Sequence, residues 1–420
     1  MIIQSFWSKP FLNDSKDPNS RFKGGWLSEK YFYYSMTLSC LKFKQYYGHV
    51  KLYTDKAGEE ILSGKLGIPY SEYDNRLNLL DEYPEKLWAF PKLYCYQLQT
   101  EPFIHADTDV FIWEKFPETL TGSALFCQNI EENFPIYGDA LNEILAIFNW
   151  VPTELINTLY KYKGVKAFNA GIIGGTNLDY FKELYARSEK FIQRNLDKFE
   201  DIDVGIFNMI YEQQLGYAIA EKRNITPECL FDDVDANFTR LTNFHLAPFL
   251  YRYVHAIGMA KKSQHACEQI EALLMYEFPE EYQKVRANGE KHLLWKPGYE
   301  ISERRKEFLF SMFRFVREKS DSDICKLRFH INPTVKITEG EPIQVTFTSP
   351  QKSIEETIEL NDWDNMLLYF EESMSIDELS RELMLDDDIS SKYTPRQLQE
   401  KLMSFVFDKC LLHELLIPEF

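Results

Sequence analysis

The residues best suited to chemistry in this chain of 420 amino acids are Asp107 and Asp109, which form an Asp-x-Asp triplet. The chain contains six such triplets, but only this one directly follows a buried-looking apolar run and precedes another. Residues two apart in an extended segment point to the same side, so both carboxylates can converge on one cation. Two carboxylates beside a core are costly unless a cation or hydrogen bonds compensate them, and a hard divalent ion would do so. We therefore predict a metal site here and interpret the other five triplets as solvated acids.

The second group of candidate residues is the segment His255-Ala256-Ile257-Gly258-Met259-Ala260-Lys261. A single histidine is more often a packed or surface residue than a ligand, but an imidazole can complete a Mn²⁺ site that carboxylates begin. Gly258 would let the backbone approach a phosphate closely, and Lys261 would supply a positive charge for a diphosphate. The spacing therefore favours a third metal ligand followed by a phosphate-binding lysine.

The elements that must position these residues follow an alternating pattern. Short apolar runs and helical patterns alternate over the first 260 residues, which predicts an α/β fold. Strands are predicted at Ile2–Trp7, His49–Asp55, Pro102–Trp113 and Phe168–Gly175. Helices are predicted at Trp26–Lys44, Glu59–Leu66, Lys86–Gln99, Leu178–Asn195 and Val204–Tyr217. The Asp-x-Asp triplet would thus lie where a buried strand runs into a turn.

The chain divides into three parts on composition. Residues 1–262 form the α/β domain, and residues 263–324 form a charged helical connector. In the connector, Ser302–Lys319 carries one apolar stripe that we expect to pack against the first domain. Residues 325–420 predict a small winged-helix-like α+β domain, with a hairpin over 334–348, a third strand over 356–360 and three helices. Two of these helices begin with capping boxes, Ser375 with Glu378 and Thr394 with Gln397.

The charge of the chain argues against whole classes of partner. It carries 47 Lys+Arg against 65 Asp+Glu, a net charge of −18, which disfavours both nucleic acid and an anionic membrane surface. Residues 325–420 hold 9 basic and 19 acidic side chains, so the winged-helix-like domain is not expected to bind DNA. The seven cysteines are scattered along the chain, which favours reduced thiols over a disulfide framework. We find no signal peptide, and no apolar run reaches the roughly 20 residues that a membrane span needs. We expect a reduced, cytoplasmic protein.

Four motifs together resemble those of a known enzyme class. HADTDVFIW, FNAGIIGG, IYEQQL and HAIGMAK occur in this order over residues 1–262. The same order of motifs is typical of nucleotide-sugar glycosyltransferases with the GT-A fold, and the likeness is greatest to family eight, the glycogenin and galactosyltransferase-like retaining enzymes. The resemblance implies a GT-A (Rossmann-like) domain that binds a nucleotide-sugar donor. It also implies that Asp107 and Asp109 bind the metal with His255 as third protein ligand, and that Lys261 contacts the diphosphate beside Gly258.

The resemblance also assigns residues around the sugar. Asn169, with Ala170 and Gly171, is similar to the segment that contacts the transferred sugar. Glu212 and Gln213 stand where the family carries an Asp-Gln pair close to the reacting anomeric carbon, with Glu replacing Asp.

The nucleotide base would bind at the ends of the first two strands, where a fold of this kind builds such a pocket. The candidate residues there are Ser5, Trp7 and Tyr53.

The sequence thus predicts an enzyme that uses Mn²⁺ (or Mg²⁺) to move a sugar from a UDP-sugar to an acceptor hydroxyl, with retention implied by the family. The hairpin, strand and three helices of residues 325–420 resemble a PqqD-like recognition element, which implies a precursor or leader peptide modified on Ser or Thr. Two alternatives stay open. The acceptor is a saccharide and the C-terminal domain is structural, or the chain is a catalytically silent GT-A scaffold that binds peptide.

Overall fold

The computed structural model describes residues 1–12, 24–132, 134–161, 165–231, 252–318, 321–350, 354–361, 363–411 and 413–419. Its centre is a seven-stranded sheet in the order β3-β2-β1-β4-β7-β6-β8. These strands are β1 Ile2–Phe6, β2 Val50–Thr54, β3 Glu72–Asp74, β4 Phe103–Ala106, β6 Phe126–Glu132, β7 Lys166–Gly175 and β8 Glu228–Cys229. Neighbouring strands are parallel except that β7 runs antiparallel to both β4 and β6. The predicted α/β fold is confirmed.

Both faces of the sheet are covered, because successive residues of its strands belong to different apolar clusters. Ile2 packs in one cluster and Ile3 in the other, and Leu52 and Tyr53 divide in the same way. This is the burial expected of largely parallel strands. The first cluster takes in the helices Glu29–Tyr47 and Gln264–Glu277, and the second takes in the helices Phe90–Gln97, Leu178–Gln193 and Leu215–Lys222.

The other helices of the α/β part are shorter or lie at its margins. They are α-helices at Lys9–Leu12, Lys56–Glu59, Glu118–Thr121, Pro135–Ile147, Thr153–Lys161, Val204–Met209 and Pro279–Lys291, π-helical turns at Glu60–Leu66 and Ile210–Gln214, and 3₁₀ turns at Asn75–Leu80, Leu196–Lys198 and Gly258–Lys262. Among the described residues, no helix is both long and apolar enough to cross a membrane. All seven cysteines lie within the described ranges, and none of them forms a disulfide.

A short two-stranded ribbon stands beside the central sheet. Its strands are β5 Val110–Ile112 and β9 Tyr253–His255, which pair antiparallel with Val110 opposite His255. The predicted strand over 102–113 is therefore two strands, β4 and β5, separated by a turn that contains the Asp-x-Asp triplet. Because β9 returns alongside β5, the ribbon brings His255 next to that turn.

The C-terminal region has its own apolar cluster and two three-stranded sheets, ordered β14-β10-β15 and β11-β12-β13. Its strands are β10 Arg328–Ile331, β11 Lys336–Thr338, β12 Gln344–Thr348, β13 Glu355–Glu359, β14 Met374–Ser375 and β15 Leu416–Glu419. The predicted hairpin and third strand are confirmed as β11, β12 and β13. The helical segments are Asp321–Cys325, Asp364–Glu371, Ile376–Leu383, Asp387–Ser390, Pro395–Ser404 and Phe405–Cys410, and both predicted capping boxes are present.

The helix Glu303–Glu318 joins the two parts of the molecule. Leu309 and Phe313 pack in the first cluster of the α/β part, as predicted, but Met312 packs in the C-terminal cluster. Beside them, the fully buried Arg305 guanidinium lies 3.1 Å from Glu268 Oε2 and 3.7 Å from Glu414 Oε1. The apolar stripe of this helix therefore faces two cores rather than one.

Candidate metal centre and active site

The turn between β4 and β5 is fixed by hydrogen bonds to its backbone from three other elements. The amide of Asp107 donates to the carbonyl of Gly171 in β7 at 2.9 Å. The side chain of Gln4, in β1, donates to the carbonyl of Asp107 at 3.2 Å, and Ser35 donates to the carbonyl of Thr108 at 2.9 Å. The two carboxylates therefore project from a backbone that is held in place before any ligand binds.

The structure brings the three predicted metal ligands together. Asp107, Asp109 and His255 each offer a ligand atom, and these atoms all lie within 4.8 Å of one another. His255 Nε2 is 3.5 Å from Asp109 Oδ1, and both side chains are buried. The amide of Ala256 also donates to the carbonyl of Asp109 at 3.0 Å, which links the two segments through their backbones.

Two lysines balance the charge of the aspartates. Lys261, predicted to contact a diphosphate, forms an ion pair with Asp109 Oδ2. Burial alone would raise the pKa of Asp109, but the positive charge of Lys261 and the neighbouring imidazole of His255 hold it well below its ordinary value. Lys92 Nζ lies 2.8 Å from Asp107 Oδ2 and 3.2 Å from Glu212 Oε1. Burial alone would lower the pKa of Lys92, but these two carboxylates keep it above its ordinary value.

The donor set fits a divalent cation. Two carboxylates and an imidazole suit Mn²⁺, and carboxylates also suit Mg²⁺. The oxygen Oδ1 of Asp109 is buried and has no hydrogen-bond partner among the described residues, while it faces His255 Nε2. A buried carboxylate oxygen in that position is costly unless a cation compensates it. The cluster is therefore built to accept a positive charge between Asp109 and His255.

The predicted sugar-contacting residues are also linked to one another. Asn169 Nδ2 donates to Glu131 Oε1 at 2.9 Å, and the hydroxyl of Tyr137 contacts Glu131 and lies 2.6 Å from Gln213 Oε1. Burial raises the pKa of Glu131, although the hydrogen bonds from Tyr137 and Asn169 oppose that shift. Glu212 and Gln213 lie in a single π-helical turn, a local distortion that is frequent at functional sites. Asn169, Gln213 and Glu212 thus border one polar region.

The phosphate-binding candidates lie beside the candidate metal ligands. Gly258 has φ +54°, and no atom of the described residues lies within 4 Å of the position that a Cβ would occupy there. Lys261 Nζ is 3.5 Å from the carbonyl of Gly24 and 5.9 Å from the ring centre of Trp26. Lys262, the second cation of the segment, is exposed. Room for a ligand and a positive charge therefore occur together here.

The three base-pocket candidates occupy the ends of β1 and β2, as predicted, but their polar groups differ in what they contact. Ser5 Oγ lies 3.0 Å from His105 Nε2, and burial, together with the charge of Lys92, holds the pKa of His105 well below its ordinary value. Tyr53 is buried, and its hydroxyl accepts a hydrogen bond from Gln99 at 3.0 Å. Trp7 is also buried and packs in the same apolar cluster as Tyr53. Their part in binding a nucleotide base stays a prediction.

Several residues of the site carry no signal in the sequence. Lys92 lies in an ordinary helix, Gln128 and Glu131 lie in β6, and Tyr137 lies in the helix that follows. None of them is part of a motif, and each reaches the site only because β6 pairs with β7 and the helix Phe90–Gln97 packs on the sheet. Their roles follow from tertiary contacts alone.

The solved structures that resemble this chain include glycosyltransferases of low similarity. A crystal structure of the galactosyltransferase LgtC with donor and acceptor sugar analogues is 11% identical, with 50% of this chain and 70% of that chain covered and a TM-score of 0.26. An active-site mutant of LgtC is 10% identical, with 50% and 69% covered and a TM-score of 0.27. The apo form of mouse xyloside xylosyltransferase 1 is 13% identical, with 52% and 82% covered and a TM-score of 0.30. Similarity at this level leaves the function to be argued from the residues of this chain.

Comparison at the level of sequence gives a family without an activity. No curated protein matches the chain. The profile of a family of unknown function, DUF6734, matches residues 1–288, which is more than half of the chain. The chain therefore belongs to the family DUF6734.

Proposed function

We propose that this protein is a metal-dependent GT-A glycosyltransferase that moves a sugar from a UDP-sugar to an acceptor hydroxyl. One observation carries the proposal: Asp107, Asp109 and His255 converge within 4.8 Å, with Lys261 paired to Asp109 beside them. Breaking the bond between a sugar and a diphosphate requires that negative charge on the leaving group be neutralised. A cation site and a lysine at one place supply that neutralisation without proton transfer.

Asp107, Asp109 and His255 would hold the cation, which we propose to be Mn²⁺ or Mg²⁺. When bound, such an ion acts as a Lewis acid on phosphoryl oxygens. Lys261 would leave Asp109 and contact the diphosphate, because a second cation next to the metal is repelled and the ligand offers new acceptors. Gly258, whose Cβ position is clear of the other described residues, would let the backbone approach the same phosphates.

The polar region around Asn169 and Gln213 would hold the sugar. Glu212 places a carboxylate in a π-helical turn next to Lys92, which itself contacts the metal ligand Asp107. A carboxylate in this position can stabilise the positive charge that develops at an anomeric carbon, without forming a bond to it. This arrangement is compatible with the retention that the likeness to family eight implies.

The test is a screen of nucleotide sugars for thermal stabilisation and for release of UDP, with and without Mn²⁺. We expect Mn²⁺-dependent stabilisation by one UDP-sugar, release of UDP by the wild-type protein, and loss of both in Asp109→Asn. Asp179→Asn, which removes an exposed aspartate of the helix Leu178–Gln193, is the matched control and should behave as wild type. Release of UDP that is unchanged in Asp109→Asn would refute the metal site. Stabilisation without any release of UDP would instead favour a catalytically silent scaffold.

We further propose that the acceptor is a peptide with a Ser or Thr hydroxyl, captured by residues 325–420 through a leader segment. The support is the edge strand β13, which pairs only with β12 within the described sheet and presents the exposed side chains of Glu355, Thr357 and Glu359. An added peptide strand can pair along such an edge, and acidic side chains favour a basic partner.

Two charge reversals test this acceptor. The double variant Glu355→Lys, Glu359→Lys should weaken sugar transfer to Ser-containing peptides with a basic leader. Transfer is measured by mass spectrometry of the peptide. The same variant should leave hydrolytic release of UDP unchanged. Equal transfer by wild type and variant, or transfer to free saccharides alone, would favour a structural role for the C-terminal region.

A further inference from the structure

Gln128 is a fully buried side chain of β6 that none of the motifs includes. Its side-chain oxygen lies 2.8 Å from His255 Nδ1 and accepts a hydrogen bond from the hydroxyl of Tyr253 at 2.6 Å. Its side-chain nitrogen donates to Asn129 Oδ1 at 3.0 Å. Because the nitrogen donates to Asn129 and the oxygen accepts from Tyr253, the amide turns its oxygen toward His255.

This orientation determines the tautomer of His255. An amide oxygen can only accept hydrogen bonds, so His255 Nδ1 must carry a hydrogen. In the neutral imidazole, the lone pair is then on Nε2, which is the atom that lies 3.5 Å from Asp109 Oδ1. The nitrogen that faces Asp109 is therefore the one that is able to bind a cation.

We propose that Gln128 is a positioning residue that selects this tautomer and fixes the ring of His255, and thereby sets the metal affinity of the site. The inference rests on the proposed function for its metal, but not on any transfer of sugar. Metal-binding histidines commonly donate their other ring nitrogen to a carboxylate, a carbonyl or water, and loss of such a partner typically costs about 10- to 100-fold in metal affinity. Here, the partner is an uncharged amide oxygen.

The surroundings leave Gln128 and His255 little freedom to move. A Cβ on Gly171 would lie 2.3 Å from His255 Nδ1 and 2.6 Å from Gln128 Oε1, so β7 closes the space on one side. The carbonyl of Gln128 accepts from the amide of Phe231 at 3.0 Å, and the ring of Phe231 packs edge-on against Tyr253 at 5.5 Å. Both the backbone and the side chain of Gln128 are thus held in register with β9.

Replacing the uncharged Gln128 by glutamate tests how charge on the partner of His255 affects the binding of a cation. Asp107 and Asp109 already place two carboxylates beside His255. A further carboxylate in place of Gln128 would hold the same tautomer but add negative charge, which favours a bound cation still more. Gln128→Glu should therefore bind Mn²⁺ at least as tightly as wild type, whereas Gln128→Leu, which is similar in size but accepts no hydrogen bond, should bind it about 10- to 100-fold more weakly.

The experiment measures two properties of the full-length protein that do not depend on catalysis. Mn²⁺ affinity is measured by calorimetry for wild type, Gln128→Leu and Gln128→Glu, with thermal unfolding to verify that each variant is folded. The tautomer of His255 is measured by nitrogen NMR of the imidazole, with its signals identified among the eight histidines by their loss in His255→Gln. Gln269→Leu is the matched control, because Gln269 is also buried but lies in the helix Gln264–Glu277.

We expect protonated Nδ1 in wild type and Gln128→Glu, loss of that single tautomer in Gln128→Leu, and wild-type affinity in Gln269→Leu. A metal-free wild type with a hydrogen on Nε2 and none on Nδ1 would overturn the inference. So would a folded Gln128→Leu that binds Mn²⁺ within twofold of wild type, or a wild-type protein that does not bind Mn²⁺. Failure of the proposed function is distinguishable, because a protein that binds Mn²⁺ in a Gln128-dependent way but never releases UDP would retain this inference and lose the transferase activity.

Discussion

Substituting Gly171 by alanine tests the geometry of the metal site with one added carbon. A Cβ at this position would lie 2.3 Å from His255 Nδ1 and 2.5 Å from His255 Cε1. Ordinary van der Waals contact begins near 3.4 Å, so the imidazole and β7 must separate by about 1.1 Å. The strand has little room to retreat, because the carbonyl of Gly171 accepts the amide of Asp107 at 2.9 Å and β7 pairs with β4 and β6. The ring of His255 is therefore the part that moves.

A shift of this size is large for a metal ligand. Distances in metal sites are held to about 0.2 Å, and a misplacement of about 1 Å costs on the order of 100-fold in comparable constellations. We expect the affinity for Mn²⁺ to fall about 10- to 100-fold, which is about 1.4 to 2.8 kcal/mol. Overpacking should also lower the free energy of unfolding by about 1 to 3 kcal/mol.

Calorimetric titration with Mn²⁺, at a temperature where the protein is folded, separates these two effects. The control is Gly289→Ala, whose added Cβ would lie 1.7 Å from Trp295 in the first apolar cluster. It should lower the melting temperature but bind Mn²⁺ as wild type does. If Gly171→Ala were folded and bound Mn²⁺ within twofold of wild type, His255 would not be a ligand in the arrangement described above.

Three other outcomes are expected. Lys261→Met should strengthen the binding of Mn²⁺ in the absence of nucleotide, because the ammonium group of Lys261 competes for Asp109. The same variant should weaken the binding of UDP in the presence of Mn²⁺. Both affinities are measured by calorimetry. Arg305→Met should lower the free energy of unfolding in denaturant titrations by about 3 to 5 kcal/mol, because it leaves the buried carboxylate of Glu268 uncompensated. Stability should fall as pH rises above 10, because burial raises the pKa of several tyrosines that the unfolded chain ionises near pH 10. Each of these tyrosines lowers the free energy of unfolding by about 1.4 kcal/mol per pH unit, so five lower it by about 7 kcal/mol per pH unit. Unfolding transitions followed by absorbance and by circular dichroism should then coincide. The five are Tyr70, Tyr96, Tyr137, Tyr180 and Tyr253.

The strands could be predicted because their signals are local. The predicted strand at Ile2–Trp7 is β1, Ile2–Phe6, and the predicted strand at Phe168–Gly175 lies within β7, Lys166–Gly175. Each is a continuous apolar run, which is typical of strands buried on both faces. The Asp-x-Asp triplet was distinguishable from the other five for the same reason, because only it interrupts such a run.

Helix ends and helix environments were predicted less well. The helix predicted at Val204–Tyr217 continues to Lys222 and contains a π-helical turn at Ile210–Gln214, which no spacing of apolar residues signals. The stripe on Ser302–Lys319 was predicted to face the first domain, but Met312 faces the C-terminal cluster. A hydrophobic pattern reports that a face is buried, and it does not report which of two cores buries it.

The electrostatics of the site show why its composition could not be read from the net charge of the chain. Asp107, Asp109 and Glu212 are three carboxylates, and Lys92 and Lys261 are the two ammonium groups that contact them, so the described cluster carries one excess negative charge. A divalent cation would change this to one excess positive charge. The described cluster would then attract a diphosphate only after the metal has bound. The same argument explains the competition expected of Lys261, which compensates Asp109 in the structure. With a metal bound, Lys261 would be free to compensate the phosphates.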